Sequence, residues 1–119
     1  MACGVISHEF LRRVEEVIEI SKQLMKKELI TTIDHLVFGA YSLDEGVDFI
    51  YQKLGVMPNQ GGKHPLMGTH NKLLKLGRSI YLEIIAIDPD ATKPNRPRWF
   101  GLDDLQPASK PKLLTWVAD

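Results

Sequence analysis

The sequence predicts an α+β domain: a long amphipathic helix, then strand, helix, strand, strand and strand. Three observations predict it. Phe10, Leu11, Val14, Val17, Ile18, Leu24 and Met25 recur at three- and four-residue steps, the spacing of one helix face. Thr32 to Phe38, Thr69 to Leu76 and Ser79 to Asp88 are short runs rich in apolar and branched residues, which suit a pleated, half-buried surface. Between the first two of these runs, Ser42 to Gly55 carries both a helix start signal and a stop signal. At 119 residues the chain holds one core and not two. Residues 1–30 are therefore assigned to an N-terminal helix, and residues 31–119 to a strand-rich module ending in a Pro-rich linker and a last strand.

Taken in order, Ser7 caps the first helix, which runs to about Glu28 or Leu29. Two readings of its apolar stripe are open, a surface for a partner chain or a face packed on its own domain. Thr31 and Thr32 open the first strand, which stops at Gly39. Ser42 and Glu45 form a capping box for the second helix, Val47, Phe49, Ile50, Tyr51 and Leu54 supply its buried side, and Gly55 ends it. Val56 to Lys63 holds a short strand interrupted by Gly61-Gly62, and His64 to Gly68 reads as a loop with His64 exposed, as is His8.

Gly77-Arg78 fits a two-residue turn with glycine first, so the strand from Thr69 should pair antiparallel with the strand from Ser79. Beyond Asp88 five prolines break up the chain, with one helical turn at Leu102 to Leu105. Lys112 to Ala118 is the last strand, and it should join the sheet already made or another molecule.

Side chains alternate across a strand, which sorts the chemistry-bearing residues by face. His35 shares a face with Ile33 and Val37, and Asp34 points the other way, so Asp34 is not expected to orient its neighbour. Glu83 shares a face with Tyr81, Ile85 and Ile87, while Ile80, Leu82, Ile84 and Ala86 line the opposite one. A strand apolar on both faces is covered on both. Glu83 is then a carboxylate among apolar neighbours, and it needs a cation, a histidine or a substrate proton as partner. For His70 a structural hydrogen bond and a functional role stand side by side. Tyr51 and Tyr81 are read as core before acid or base.

Lys and Arg number 15, as do Asp and Glu, so no net basic field marks the chain for nucleic acid or an anionic membrane. The lone Cys3 allows no internal disulfide and fits a cytoplasmic setting. No apolar run reaches bilayer length, and the first residues lack the order of a signal peptide. Gly61-Gly62-Lys63 is not a phosphate loop, since the earlier glycine is missing and His64 stands where Ser or Thr belongs. No Gly-x-Ser-x-Gly elbow is present. Arg96, Arg98 and Trp99 are open to two readings, a clamp for an anionic or aromatic ligand or a solvated loop anchored by its tryptophan.

The order of elements, with Asp34-His35-Leu36-Val37, Gly68-Thr69-His70-Asn71 and Tyr81-Leu82-Glu83, resembles the glyoxalase-like group of the vicinal oxygen chelate superfamily, which includes glyoxalases, extradiol dioxygenases and antibiotic-binding relatives. The resemblance covers about Thr31 to Asp88. It implies a βαβββ module whose sheet forms half of a cup around a divalent metal (Zn, Ni, Fe or Mn), held by His35 and Glu83. It further implies Glu83 as the catalytic residue and His70, Asn71 and Tyr81 as substrate contacts, with His70 an alternative ligand. The chemistry implied is of lyase, isomerase or dioxygenase type on a small oxygenated molecule. Sequestration without catalysis, or retention of the fold alone, are the other readings.

In that superfamily two modules sit side by side, whereas here Leu113 to Val117 resembles only the opening strand of a second. A homodimer that completes the cup is therefore expected; the other reading is a fragment of a longer protein.

Overall fold

The computed structural model describes residues 8–26 and 32–118. Its elements are helix α1 (His8–Lys26), strand β1 (Ile33–Gly39), helix α2 (Leu43–Leu54), and strands β2 (Asn59–His64), β3 (Thr69–Lys75) and β4 (Tyr81–Ile87). A 3₁₀ segment (Trp99–Asp104) and strand β5 (Lys112–Ala118) follow. The five strands form one sheet in the order β2-β3-β4-β1-β5. β1 runs parallel to β4 and antiparallel to β5, and β3 is antiparallel to both β2 and β4. The α+β fold with a βαβββ order is the one the sequence predicts.

β1 lies inside the sheet, between β4 and β5, and packs apolar side chains on both of its faces. On one face Leu36 and Phe38 join Leu82, Ile84 and Ile50 beneath the two helices. On the other, Val37 and Ile85 pack with Leu102 of the 3₁₀ segment and Leu114 of β5. Leu36, Val37, Ile50, Leu82, Ile84 and Ile85 are wholly buried, each worth about 1.5–3 kcal/mol relative to exposure.

The stripe of α1 turns onto this core: Phe10, Val14 and Val17 pack against the helix-side cluster, and the Phe10 ring meets Phe38 edge-on at 5.8 Å. These three residues of the stripe pack on the chain's own domain; the side chains of Leu24 and Met25 lie outside the described ones. The expected cap Ser7 and the expected end at Glu28 or Leu29 lie outside the described residues.

Helix α2 starts and stops as its sequence signals say. The Ser42 hydroxyl accepts from the Glu45 backbone N–H, the Glu45 carboxylate accepts from the Ser42 N–H, and Gly55 closes the helix in the left-handed region at φ 71°.

Strands β3 and β4 pair antiparallel from Thr69↔Ile87 to Lys75↔Tyr81. The turn joining them differs from the expected one. Gly77 has no positive φ, and Leu76 and Gly77 both donate backbone N–H groups to the Ile80 carbonyl, so the connection is three residues long and does not use glycine's left-handed freedom.

β5 adds to the sheet beside β1. Both edges of β1 are therefore occupied, and β2 and β5 are the outer strands. Among the described residues, no helix is long and apolar enough to cross a membrane.

Candidate functional site

The face of the sheet opposite the helices carries a hollow of about 450 Å³. Four polar side chains from four strands meet in it: His35 of β1, His64 of β2, Asn71 of β3 and Glu83 of β4. Tyr81, Leu73, Val117, Trp99 and Phe100 form its apolar walls.

His35 reaches the hollow by regular alternation, on the face of Val37, and the irregularity of β1 lies just before it. Opposite β5, Ile33 pairs with Ala118 but His35 pairs with Val117, so one extra residue is accommodated on β1. Such a bulge breaks strict alternation. Ile33 accordingly packs on the helix side with Leu36 and Phe38, while His35 faces the hollow. This corrects two expectations. Ile33 does not share the face of His35, and Asp34 does orient its neighbour: its Oδ2 lies 2.8 Å from His35 Nδ1.

The other ring nitrogen of His35, Nε2, is 3.2 Å from Glu83 Oε1. Glu83 leaves only 9% of its side chain exposed, so its oxygens need internal partners. The imidazole also stacks on Tyr81, centroid to centroid 4.7 Å at 12°, which fixes the ring plane.

The second oxygen of Glu83 is held by Asn71, whose Nδ2 donates to Oε2 at 2.7 Å. Asn71 has one orientation because its Oδ1 accepts from the backbone N–H of Gly62 at 2.9 Å, leaving the amide nitrogen for Glu83. That contact depends on close approach of β2 to β3. A Cβ on Gly61 would fall 1.9 Å from the Asn71 backbone carbonyl oxygen, whereas one on Gly62 would meet nothing within 4 Å, so it is Gly61 that admits β2 to the site. Glu83 is thus gripped from two sides, with Oε1 left toward His35.

His64, expected to be an exposed loop residue, is instead the last residue of β2 and half-buried. Its Nδ1 is 2.9 Å from the Thr69 hydroxyl, and its Nε2 lies 3.9 Å from Glu83 Oε2. A sequence signal for this exists. A tight connection from 65 to 68 would set His64 opposite Thr69, on the face of Asn71, and that register is the one observed.

His70 goes the other way. It lines a separate hollow with Tyr41, Leu43 and Ile87 near the start of α2, and its Nε2 is buried with no hydrogen-bond partner among the described residues. Of the anticipated site residues, the fold brings His35, Glu83, Asn71 and Tyr81 together and leaves His70 out.

The aromatic wall comes from the 3₁₀ segment. Trp99 stands 5.7 Å from the His64 ring. Phe100 (φ 60°) and the following Gly101 (φ 70°) are left-handed, an uncommon conformation for a residue with a large side chain. Arg98 anchors the segment, its backbone N–H donating to Asp103 Oδ2 at 2.8 Å and its guanidinium to Asp103 Oδ1. These backbone and side-chain hydrogen bonds from Arg98, with the charges of Arg98 and Lys93, lower the pKa of Asp103.

The donor chemistry can be tested against a divalent ion. Two donors sharing one such ion, at bond lengths near 2.0–2.2 Å, stand roughly 2.9–3.4 Å apart. His35 Nε2 and Glu83 Oε1, at 3.2 Å, fit. Asp34 on Nδ1 is the outer partner that metal-bound imidazoles ordinarily have. The set is incomplete, however: among the described residues no group of three or more His, Cys, Asp or Glu is arranged to hold a metal.

The sheet face opposite the helices thus gathers imidazole, carboxylate and amide groups beside aromatic side chains, in a mixed α+β module. The family model described as a glyoxalase-like domain matches residues 33–119, and the chain belongs to that family. No curated protein and no solved structure gives a significant match.

Proposed function

We propose that the chain provides a metal-assisted site for a small oxygenated molecule with an apolar or aromatic part. His35 and Glu83 hold a divalent ion of the Zn, Ni, Fe or Mn type, and Tyr81, Trp99 and Phe100 cover the apolar part of the ligand. The observation that carries this reading is the 3.2 Å approach of His35 Nε2 to Glu83 Oε1, with Asp34 on the other ring nitrogen. A neutral imidazole has one N–H to share between two carboxylates. A cation at Nε2 gives both contacts a bonding partner.

When bound, the ion acts as a Lewis acid on substrate oxygens. The chain's own residues do the rest. Asn71 keeps Glu83 Oε2 occupied and aims Oε1 at the ion. Asp34 and Tyr81 hold the imidazole plane. His64, steadied by Thr69, is the nearest further base and accepts a proton from the bound molecule.

Two donors leave much of a coordination sphere to substrate, water or a second chain. Because both edges of β1 are filled, a second copy completing the cup docks along the outer edge of β5, which carries the exposed Trp116 and the wall residue Val117. A non-catalytic module that sequesters an aromatic compound is the second reading, supported by the five apolar walls and the short donor set.

Metal analysis of the purified chain after incubation with each ion separates the two. Stoichiometric metal that His35→Ala and Glu83→Gln abolish supports the first. A wild-type chain that takes up none of the four ions overturns the first.

A further inference from the structure

On the helix side of the sheet, where α1, α2 and the start of β5 meet, another hollow encloses about 310 Å³. Its floor is Phe10, Phe38, Phe49 and Leu113. The three rings converge, with Phe38 edge-on to Phe10 at 5.8 Å and tilted against Phe49 at 5.4 Å. Its rim is cationic, made by Arg13, Lys53, Lys110 and Lys112. Glu9 is the sole carboxylate among the lining residues, and it is engaged by Arg13 at 2.9 Å.

Four cations against one carboxylate leave a local excess of three positive charges on a chain whose formal net charge is +0. Among the described residues, no ion pair engages Lys53, Lys110 or Lys112. The Lys53 ammonium lies 5.5 Å from the centroid of the Phe49 ring, which keeps it at the lip of the hollow.

We propose that this hollow binds an aromatic monocarboxylate, its ring on the phenylalanine floor and its carboxylate among the lysines. The volume is that of a small-molecule pocket. Phenyl groups set at edge and tilted angles favour a further ring over an alkyl chain, because aromatic pairs gain from edge-to-face and offset contacts. Ammonium groups around an apolar slot select a negative head by charge-assisted hydrogen bonds. The site shares no lining residue with the His35 and Glu83 hollow, so it does not rest on the metal reading.

The test is calorimetric titration of the full chain with 2-naphthoate and with its neutral analogue 2-naphthalenemethanol. The expected result is saturable one-to-one binding of naphthoate, with the alcohol about tenfold weaker. Lys53→Glu and Lys112→Glu should each weaken naphthoate about fivefold, and added salt should weaken it further. Glu9→Gln, which releases Arg13 on an exposed helix turn, should tighten it about twofold and keeps the test decisive if a lysine variant misfolds. The indole resonance of Trp99, in the other hollow, should stay in place.

Absence of binding, equal binding of acid and alcohol, charge variants indistinguishable from wild type, or a shift confined to Trp99 would each overturn the proposal.

Discussion

Asn71 and Glu83, on neighbouring antiparallel strands, are joined by a 2.7 Å hydrogen bond from the amide nitrogen to a carboxylate oxygen that is otherwise buried. The bond has a direction because Gly62 occupies the amide oxygen. Replacing Asn71 by Ala strands Glu83 Oε2 without a donor and should cost about 1–3 kcal/mol of stability. Asn71→Asp should cost more, since it sets a second carboxylate against Glu83 and removes the donor as well. Urea unfolding of the two variants checks the order, and an Asp variant as stable as the Ala variant would contradict the assigned geometry.

Asp34 acts on the site through His35 alone. Asp34→Asn keeps the shape but replaces the charged acceptor on Nδ1. If His35 is a ligand, this change should lower metal affinity about 10- to 100-fold while leaving the unfolding midpoint close to wild type, because the Asp34 side chain is about one-third exposed. Competition of a chromogenic chelator for Zn reads the affinity. Equal affinities would remove Asp34 from the site.

The fold was legible because its signals are local. The helix caps at Ser42 and Gly55, the apolar period of α1 and the two-faced run of β4 each specify an element without reference to the rest of the chain. The site was legible where strands alternate regularly, as at Asn71, Tyr81 and Glu83. It was lost at two departures from alternation. The bulge at the start of β1 moves Ile33 to the helix side and lets Asp34 reach His35, and nothing in Ile33-Asp34-His35 announces it, since the extra residue is defined only against β5. His64 was lost because Gly61 and Gly62 weaken the strand signal, although Gly61 is what lets β2 approach Asn71. Trp99 and Phe100 sit in a proline-broken stretch whose direction depends on Arg98 and Asp103, and no periodicity predicts that contact.

The Arg98 pair gives the stability a defined pH dependence. Folding lowers the Asp103 pKa from its ordinary value near 3.8. The sign follows: the unfolded chain takes up a proton first as pH falls, so the contribution is complete above the unfolded value and is lost as pH falls through the folded one. Asp103→Asn should therefore be less stable than wild type at pH 7, with the gap closing below about pH 4. Unfolding midpoints of both proteins between pH 7 and pH 2.5 test this. A gap that stays constant across the range would mean that the carboxylate charge contributes nothing and that only the shape of Asp103 matters.

Phe100 combines a wall of the hollow with a left-handed backbone, and two substitutions separate these roles. Phe100→Ala removes the ring but keeps a Cβ at φ 60°. Phe100→Gly removes both the ring and the steric cost of that conformation, which is about 1–2 kcal/mol for an L-residue. Glycine's greater freedom in the unfolded chain offsets part of the gain. Phe100→Gly should therefore be more stable than Phe100→Ala by up to about 1 kcal/mol, although glycine is the poorer residue at an ordinary position. Both variants should bind an aromatic ligand more weakly than wild type and to a similar extent, because both lack the ring. Chemical denaturation measures the first comparison, and quenching of Trp99 fluorescence by the ligand measures the second. If the Gly variant is the less stable of the two, the left-handed turn at Phe100 is not a feature of the folded chain. The wall that turn holds over His35 and Glu83 would then have to be placed elsewhere.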